Sequence, residues 1–357
     1  MPPYTEEQEK EKVEDVVVAS YVCNDLEKPI VSNVSLLSQV PVIDMEKLFS
    51  DYGDDDTELQ KLHLACKDWG FFQMINHGVS SSLLEKVRSE IQGFLNLPIE
   101  EKKQFERQVG NLEGYGEMLV SSESDDQKIE SLVGMFYLVT QPTHLRQPHL
   151  LPKFPLSLRD ALEEYSTQLK ELAMKMFNIM AKALGMKAEE DLSALFEGGK
   201  QSMRMNYYPK CPQPGVVMGL NPHSDGAGLT ILLQLNEVEG LQIKKDGAWI
   251  PITPLPNAFV VNIADMLEIL TNGIYKSVEH RPVFNPNKER LSVATFFEPR
   301  SDVNLSPAES LITPQNPAKF KHIGTVTDYA KGFFSRQLGQ GSYLDTMRIV
   351  TKDQENN

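Results

Sequence analysis

What the chain lacks narrows it first. It has only three cysteines in 357 residues, Cys23, Cys66 and Cys211. They are too widely spaced for a disulfide framework or a zinc ribbon, and such usage fits a reducing compartment. Positive charge is in the minority: 35 Lys and Arg stand against 50 Asp and Glu, a formal charge of −15. A nucleic-acid surface needs a positive footprint, so no nucleic-acid partner is expected. No stretch approaches about 18 consecutive apolar residues, so no membrane span is expected either. The opening segment, MPPYTEEQEKEKVEDVVVAS, lacks the apolar centre of a secretory signal and is too acidic for a transit peptide. The expectation is a soluble, cytoplasmic protein that acts as a monomer on a small molecule.

What is present is core-forming material, with 41% hydrophobic residues. Residues 1–38 read as an irregular, charged lead-in. VPVIDM (40–45) and FFQMIN (71–76) read as strands, separated by a helix over 57–69 that carries Leu59, Leu62, Cys66 and Trp69 on one face. A second helix has a capping-box spacing, Ser82 to Glu85, and turns Leu84, Val87, Ile91 and Phe94 inward. Residues 105–153 carry no clear period. The clearest helix follows: Leu158, Leu162, Tyr165, Leu169, Leu172, Met176, Met180 and Leu184 recur every three or four residues, and Gly185 fits a C-cap. The Met-rich part of that helix reads as core packing.

From about residue 202 the pattern becomes strand-like. MRMNYY, LTILLQL, LQIKK, WIPIT, AFVVNI, SVEHRPVF and RLSVATFF are short segments broken by Gly, Pro, Asn and Asp. The expected fold is a mixed α/β (α+β) chain with a double-stranded β-helix, or jelly-roll, core and flanking helices, one of them long and lying along the sheet. The boundaries read as a lead-in (1–38), an amino-terminal region (39–150), a long connecting helix (151–200), the jelly-roll core (201–302) and a carboxy-terminal helical segment and tail (303–357). There is no internal repeat.

Within the strand-rich half lies His223-Ser224-Asp225, followed by His280. In an extended segment, period two puts His223 and Asp225 on one side. Two imidazoles and one carboxylate form the facial triad that holds Fe(II) with open coordination positions. An isolated HxD triplet also fits a turn histidine bonded to the backbone. After His280 comes Arg290-Leu291-Ser292, whose Arg and Ser share a face; the guanidinium fork suits a carboxylate. Against this, Arg290 could pair with Glu289 at the surface, and Ser292 could be a polar position on an edge strand. Ala294, Phe296 and Glu298 continue the same face as an apolar wall with one carboxylate, which fits a substrate pocket or an ordinary core pattern. His77 reads as a turn residue and His63 as a packed or surface ring; His144, His149 and His322 have no ligand spacing.

HSD…H with RLS ten residues after the second His resembles the plant 2-oxoglutarate/Fe(II)-dependent dioxygenases. VPVIDM, CKDWGFFQMINHG, EIQGFLNLPIEEKKQF, MRMNYYPKCPQP, GLTILLQLNEVEGLQI, PLPNAFVVNI and DMLEILTNGIYKSVEHR match that family's segments in order, from about residue 38 to residue 348. Within it the chain is most similar to the senescence-related and alkaloid O-demethylase-like branch. The resemblance implies His223, Asp225 and His280 as iron ligands and Arg290, Ser292, Asn206 and Tyr208 as contacts of 2-oxoglutarate. It implies Tyr115, Phe296 and Glu298 as lining the organic-substrate pocket. It makes 39–150 the amino-terminal dioxygenase region and 201–302 the Fe(II)/2-oxoglutarate core. The implied cofactors are Fe(II), 2-oxoglutarate as cosubstrate, O2, and ascorbate as reductant. The implied reaction hydroxylates or O-demethylates an aromatic or polycyclic plant specialised metabolite of alkaloid or flavonoid type, giving succinate and CO2.

Three departures stand out. DQKIESLVGMFYLVTQP (126–142) lacks a Trp that relatives carry, Ala264 stands where many have Gly, and Glu298 is uncommon in the nearest branch. Competing readings are an ethylene-forming-type oxidase that does not consume 2-oxoglutarate, a non-catalytic sensor with the same fold, and a hydrolytic zinc site. No HExxH-type base accompanies the ligands to support the last.

Overall fold

Alternation along the strands decides the architecture, because a sheet that is apolar on one face must bury that face. The computed structural model describes residues 39–49, 56–108, 110–121, 128–187, 190, 192–210, 220–335 and 342–349. The lead-in, Cys23 and Cys211 lie outside the described residues. The strands are β1 (Val42–Asp44), β2 (Phe71–Ile75), β3 (Gly114–Ser121), β4 (Lys128–Gln141), β5 (Gln201–Tyr208), β6 (Leu229–Gln234), β7 (Leu241–Lys245), β8 (Ala248–Ile252), β9 (Phe259–Ile263), β10 (His280–Pro282) and β11 (Arg290–Phe297). Eight of them form one sheet in the order β1-β2-β9-β6-β11-β5-β4-β3, and three form a second in the order β10-β7-β8. All neighbours run antiparallel except β1 and β2.

Cross-strand register aligns the faces of the large sheet. Val293 of β11 lies opposite Met205 of β5 and Leu233 of β6, and Leu233 lies opposite Phe259 of β9. These residues are buried together with Leu162, Leu169, Ala173 and Met176 of a helix that spans Leu156–Leu184. The face one residue out of step carries Arg290, Ser292, Ala294 and Phe296, and it looks toward the small sheet. Leu241, Ile243, Ile250 and Ile252 of the small sheet close part of that gap against Phe71 and Val260. The remainder is a cavity with polar walls. This two-sheet arrangement is the expected jelly-roll core, with the long helix along the outer face.

The helices include α1 (Asp56–Leu64), α2 (Ser81–Leu95), α3 (Leu156–Leu184), α4 (Asp265–Leu270), α5 (Val326–Ser335) and α6 (Tyr343–Met347); further short helices include Met45–Phe49 and Leu192–Phe196. Helix α3 ends as its sequence indicates: Gly185 adopts φ 65°, its N–H donates to Lys182 O, and Met186 N–H donates to Ala181 O. That six-to-one and five-to-two pair is a Schellman motif, open to glycine because it needs a left-handed residue. The start of α2 differs from expectation. The helix begins at Ser81 with Ser80 as its N-cap and no side-chain cap bond. Ser80 and Ser82 bond each other at 2.7 Å, and Glu85 pairs with Arg88 instead of closing a capping box. The region 105–153, which shows no period, contains the β3–β4 hairpin that extends the large sheet beyond β5.

Leu169 is fully buried between α3 and the large sheet. Leu169→Ala should lower unfolding stability by about 2–5 kcal/mol through lost contact and a residual cavity. Urea denaturation measures this, and a loss under about 1 kcal/mol would contradict the packing described.

Candidate metal and cosubstrate site

The loop before β6 and the start of β10 bring the triad together through their backbones. His223 N–H donates to His280 O at 3.0 Å, and His280 N–H returns to His223 O at 2.9 Å. That isolated bridge sets the two rings side by side, centroids 4.5 Å apart. His223 Nδ1 lies 2.8 Å from Asn221 O, and His280 Nδ1 lies 3.1 Å from Val278 O. A carbonyl only accepts, so each Nδ1 carries a hydrogen, and Nε2 is the nitrogen each ring turns toward Asp225.

Both Nε2 atoms face Asp225 Oδ1, each at 3.7 Å. The other oxygen is saturated: Thr230 Oγ1 donates to Oδ2 at 2.7 Å and Asn262 Nδ2 at 2.9 Å. His223 Nε2 is buried and has no hydrogen-bond partner, an orphan expensive to leave beside two other ligand atoms. Burial, and then the neighbouring His280, push the His223 imidazole down to about 3. Burial opposes ionisation of Asp225, but His280, His223 and the bonds from Asn262 and Thr230 outweigh it and hold the carboxyl at about 2. At neutral pH the site therefore offers a neutral His223 ring and a carboxylate. Ligand atoms of all three side chains lie within 4.8 Å of one another. Two nitrogens and one oxygen on one side of a centre suit Fe(II) and leave further positions open.

Along the same wall sits Arg290, with 1% of its surface exposed. Its Nε and Nη2 both donate to Gln234 Oε1, at 3.2 and 3.0 Å, and the guanidinium lies over the Tyr208 ring at 5.3 Å. Burial pulls its pKa down, with Tyr208 opposing, and among the described residues no carboxylate contributes. Gly240 makes the room: a Cβ there would come within 2.7 Å of Arg290 Cδ. The surface pair with Glu289 does not form, since Glu289 accepts instead from Tyr207 at 3.0 Å. Nor is Ser292 on an edge; β11 is flanked by β6 and β5. Ser292 and Asn206 face each other in register, with Asn206 Nδ2 3.5 Å from Ser292 Oγ. A buried cation without an anion, among hydroxyl and amide groups, fits the far carboxylate of a bound dianion.

The cavity is lined by the triad, by Arg290, Ser292, Asn206 and Tyr208, and by Phe296 with Leu232 and Val260. Tyr115 and Glu298 are not among its lining residues. Glu298 lies just past the end of β11, where its carboxylate meets Lys200 Nζ at 2.9 Å. Tyr115 sits on the outermost strand, β3, with Lys102 Nζ 5.3 Å above its ring. Arg204, which the sequence reading passed over, does line the cavity. It lies opposite Ala294 on β5, its guanidinium is 5.5 Å from the Phe296 ring centre, and its buried Nε has no partner. Its signal was available: MRMNYY puts Arg204, Asn206 and Tyr208 on one face. His77 caps its own turn, with Val79 N–H donating to Nδ1 at 3.2 Å and Nε2 near Asn257 O at 2.9 Å. His63 packs edge-on to Tyr275.

Comparison with known proteins converges on one family. The 2OG-Fe(II) oxygenase superfamily profile matches residues 199–299, and that of the non-haem dioxygenase in morphine synthesis N-terminal region matches residues 40–154. The chain is 54% identical over 313 residues to oxoglutarate-dependent flavonoid 7-O-demethylase 1 of Ocimum basilicum, covering 88% of this chain and 82% of that one. It is 49% identical over 339 residues to thebaine 6-O-demethylase of Papaver somniferum, covering 93% and 92%. The crystal structure of JOX2 in complex with 2OG, Fe and JA aligns with a TM-score of 0.81 at 34% identity, covering 93% of this chain and 94% of that one.

Thr230 holds Asp225 Oδ2 without filling a ligand position. Thr230→Val keeps its volume and removes that donor, so Fe(II) affinity should fall by about 10-fold or more. Anaerobic calorimetric titration measures this; an unchanged affinity would show that the bond does not orient the carboxylate.

Proposed function

The chain belongs to the 2OG-Fe(II) oxygenase superfamily, and from that premise we propose that it O-demethylates a methoxylated aromatic or polycyclic plant metabolite of flavonoid or alkaloid type. It is an Fe(II)- and 2-oxoglutarate-dependent dioxygenase, and among the described residues no helix is long and apolar enough to cross a membrane. In this reading His223, Asp225 and His280 hold Fe(II), and Arg290, Ser292, Asn206 and Tyr208 hold 2-oxoglutarate. The observation that carries it is Arg290, a buried guanidinium with no carboxylate partner among the described residues, on the wall of the cavity that also contains the triad.

When bound, Fe(II) with 2-oxoglutarate and O2 supplies the oxidising chemistry, releasing succinate and CO2 and adding oxygen to a C–H bond of the substrate. The protein's part is geometric and electrostatic. Backbone carbonyls of Asn221 and Val278 fix the imidazole tautomers. Thr230 and Asn262 aim one carboxylate oxygen inward. Phe296, Leu232 and Val260 offer an apolar surface to a ring system and exclude water. Arg204, with an unpartnered Nε over Phe296, suits a phenolic or ketone oxygen on that ring. A substrate methoxyl hydroxylated at its methyl carbon leaves as formaldehyde and a free hydroxyl. The flavonoid and alkaloid demethylases among the relatives support that outcome over ring hydroxylation.

Iron-loaded protein supplied with 2-oxoglutarate, ascorbate and air, over a panel of methoxylated flavonoids and alkaloids, should produce succinate and formaldehyde together for one compound class. Asp225→Ala should produce neither. Succinate without formaldehyde would replace demethylation by hydroxylation, and wild-type succinate no higher than the mutant's would move a sensor role to the front. In the same assay Arg204→Leu should raise KM for the organic substrate about 10-fold while leaving KM for 2-oxoglutarate unchanged.

A further inference from the structure

Helix α4 is six residues long, and all six are buried, including two acids, Asp265 and Glu268. Buried carboxylates are costly and are retained where their partners matter. Asp265 Oδ1 accepts from Ser277 Oγ at 2.6 Å and Oδ2 from Tyr329 OH at 2.9 Å, and Ser224 Oγ also bonds this carboxylate. Burial pushes its carboxyl up to about 7 against those three hydroxyls. Glu268 accepts from Ser277 N–H at 2.6 Å and from Arg348 Nη2 at 2.8 Å.

The donors fall into two groups. Ser224 sits between His223 and Asp225, and Ser277 lies three residues before His280, so they belong to the two loops that carry the triad. Tyr329 and Arg348 belong to the carboxy-terminal segment. That segment also covers the first loop directly. Ser342 Oγ lies 3.3 Å from Ser224 Oγ, and a Cβ on Gly226 would come within 2.9 Å of the Phe333 ring. The backbone supports the same link, because Asp265 N–H donates to Asp225 O at 2.9 Å.

We propose that Asp265 and Glu268 are positioning residues for the metal centre: they clamp the loops carrying the triad to each other, and Tyr329 and Arg348 lock that clamp from the carboxy-terminal segment. The inference rests on the reading of His223, Asp225 and His280 as iron ligands. Neither carboxylate reaches the metal position in this account. Asp265 acts through Ser224 and Ser277 and Glu268 through the Ser277 backbone, within the loops that carry the ligands, and the carboxy-terminal segment becomes part of the metal site's framework.

Two mild substitutions test it, each removing one hydroxyl and leaving both acids in place: Tyr329→Phe and Ser277→Ala. The full chain is loaded anaerobically, and Fe(II) affinity is read by calorimetry alongside the visible charge-transfer band of the Fe(II)–2-oxoglutarate complex and the thermal midpoint. Both variants should bind Fe(II) about 10-fold more weakly or worse, with a shifted band, while KM for 2-oxoglutarate at saturating iron stays near wild type. Lowered thermal midpoints with Fe(II) affinity within twofold of wild type and an unmoved band would overturn the proposal and leave the clamp as a fold element. Asp225→Ala is the control that separates the two readings. If it binds iron as wild type does, the ligand assignment itself has failed; if it loses iron while the two variants do not, only the clamp has failed.

Discussion

The site depends on how one buried carboxylate divides its two oxygens. Asp225 is taken out of water, which costs several kcal/mol for an ion left unpaired. Thr230 and Asn262 satisfy Oδ2 and leave Oδ1 aimed at two imidazole nitrogens. With His223 driven neutral by burial, its Nε2 lies beside the Asp225 carboxylate as a donor set that suits a divalent metal. The paired backbone bonds between His223 and His280 keep the rings side by side.

A second unbalanced charge lies on the same wall. Arg290 is almost fully buried, and among the described residues its polar partners are Gln234 and Tyr208, neither of them an anion. The two imbalances are of opposite kinds, a cation-seeking triad and an anion-seeking guanidinium in one cavity. A short dicarboxylate that chelates a metal with one end and meets an arginine with the other resolves both. The sheet makes this possible because period two turns alternate residues of β5, β6, β9 and β11 toward the cavity, among them Arg204, Asn206, Thr230, Asn262, Arg290 and Ser292, while Met205, Leu233, Phe259 and Val293 between them pack in the core with α3.

Most of this was legible in the sequence where alternation and motif spacing act locally. The strands from Met203 to Phe297, the α3 periodicity with its Gly185 terminus, the HxD triplet and the RxS pair all depend on near neighbours, and His280 was legible from the likeness of its segment to the family's. What escaped depends on contacts distant in sequence. The β3–β4 hairpin carries a register shift between Glu117 and Leu119, and it is specified by pairing with β5 rather than by a local pattern. Glu298 shares the parity of Arg290 and Ser292, but the strand ends at Phe297, and Lys200, nearly a hundred positions earlier, takes its carboxylate. Arg204 reads as one more polar strand residue until Phe296 and the cavity are set beside it. Asp265 and Glu268 look like helix-start acids; their burial and their ties to Tyr329 and Arg348 appear only in three dimensions. The Ala264 departure has a simple account: its backbone is extended, φ −117° and ψ 172°, so alanine fits as well as glycine.

The most direct test of the central claim is crystallographic: crystals grown anaerobically with Fe(II) and 2-oxoglutarate, with anomalous scattering recorded at the iron edge. The account predicts one iron peak coordinated by His223 Nε2, Asp225 Oδ1 and His280 Nε2, with the far carboxylate of 2-oxoglutarate on the Arg290 guanidinium. Iron bound elsewhere, or 2-oxoglutarate with that carboxylate away from Arg290, would contradict it.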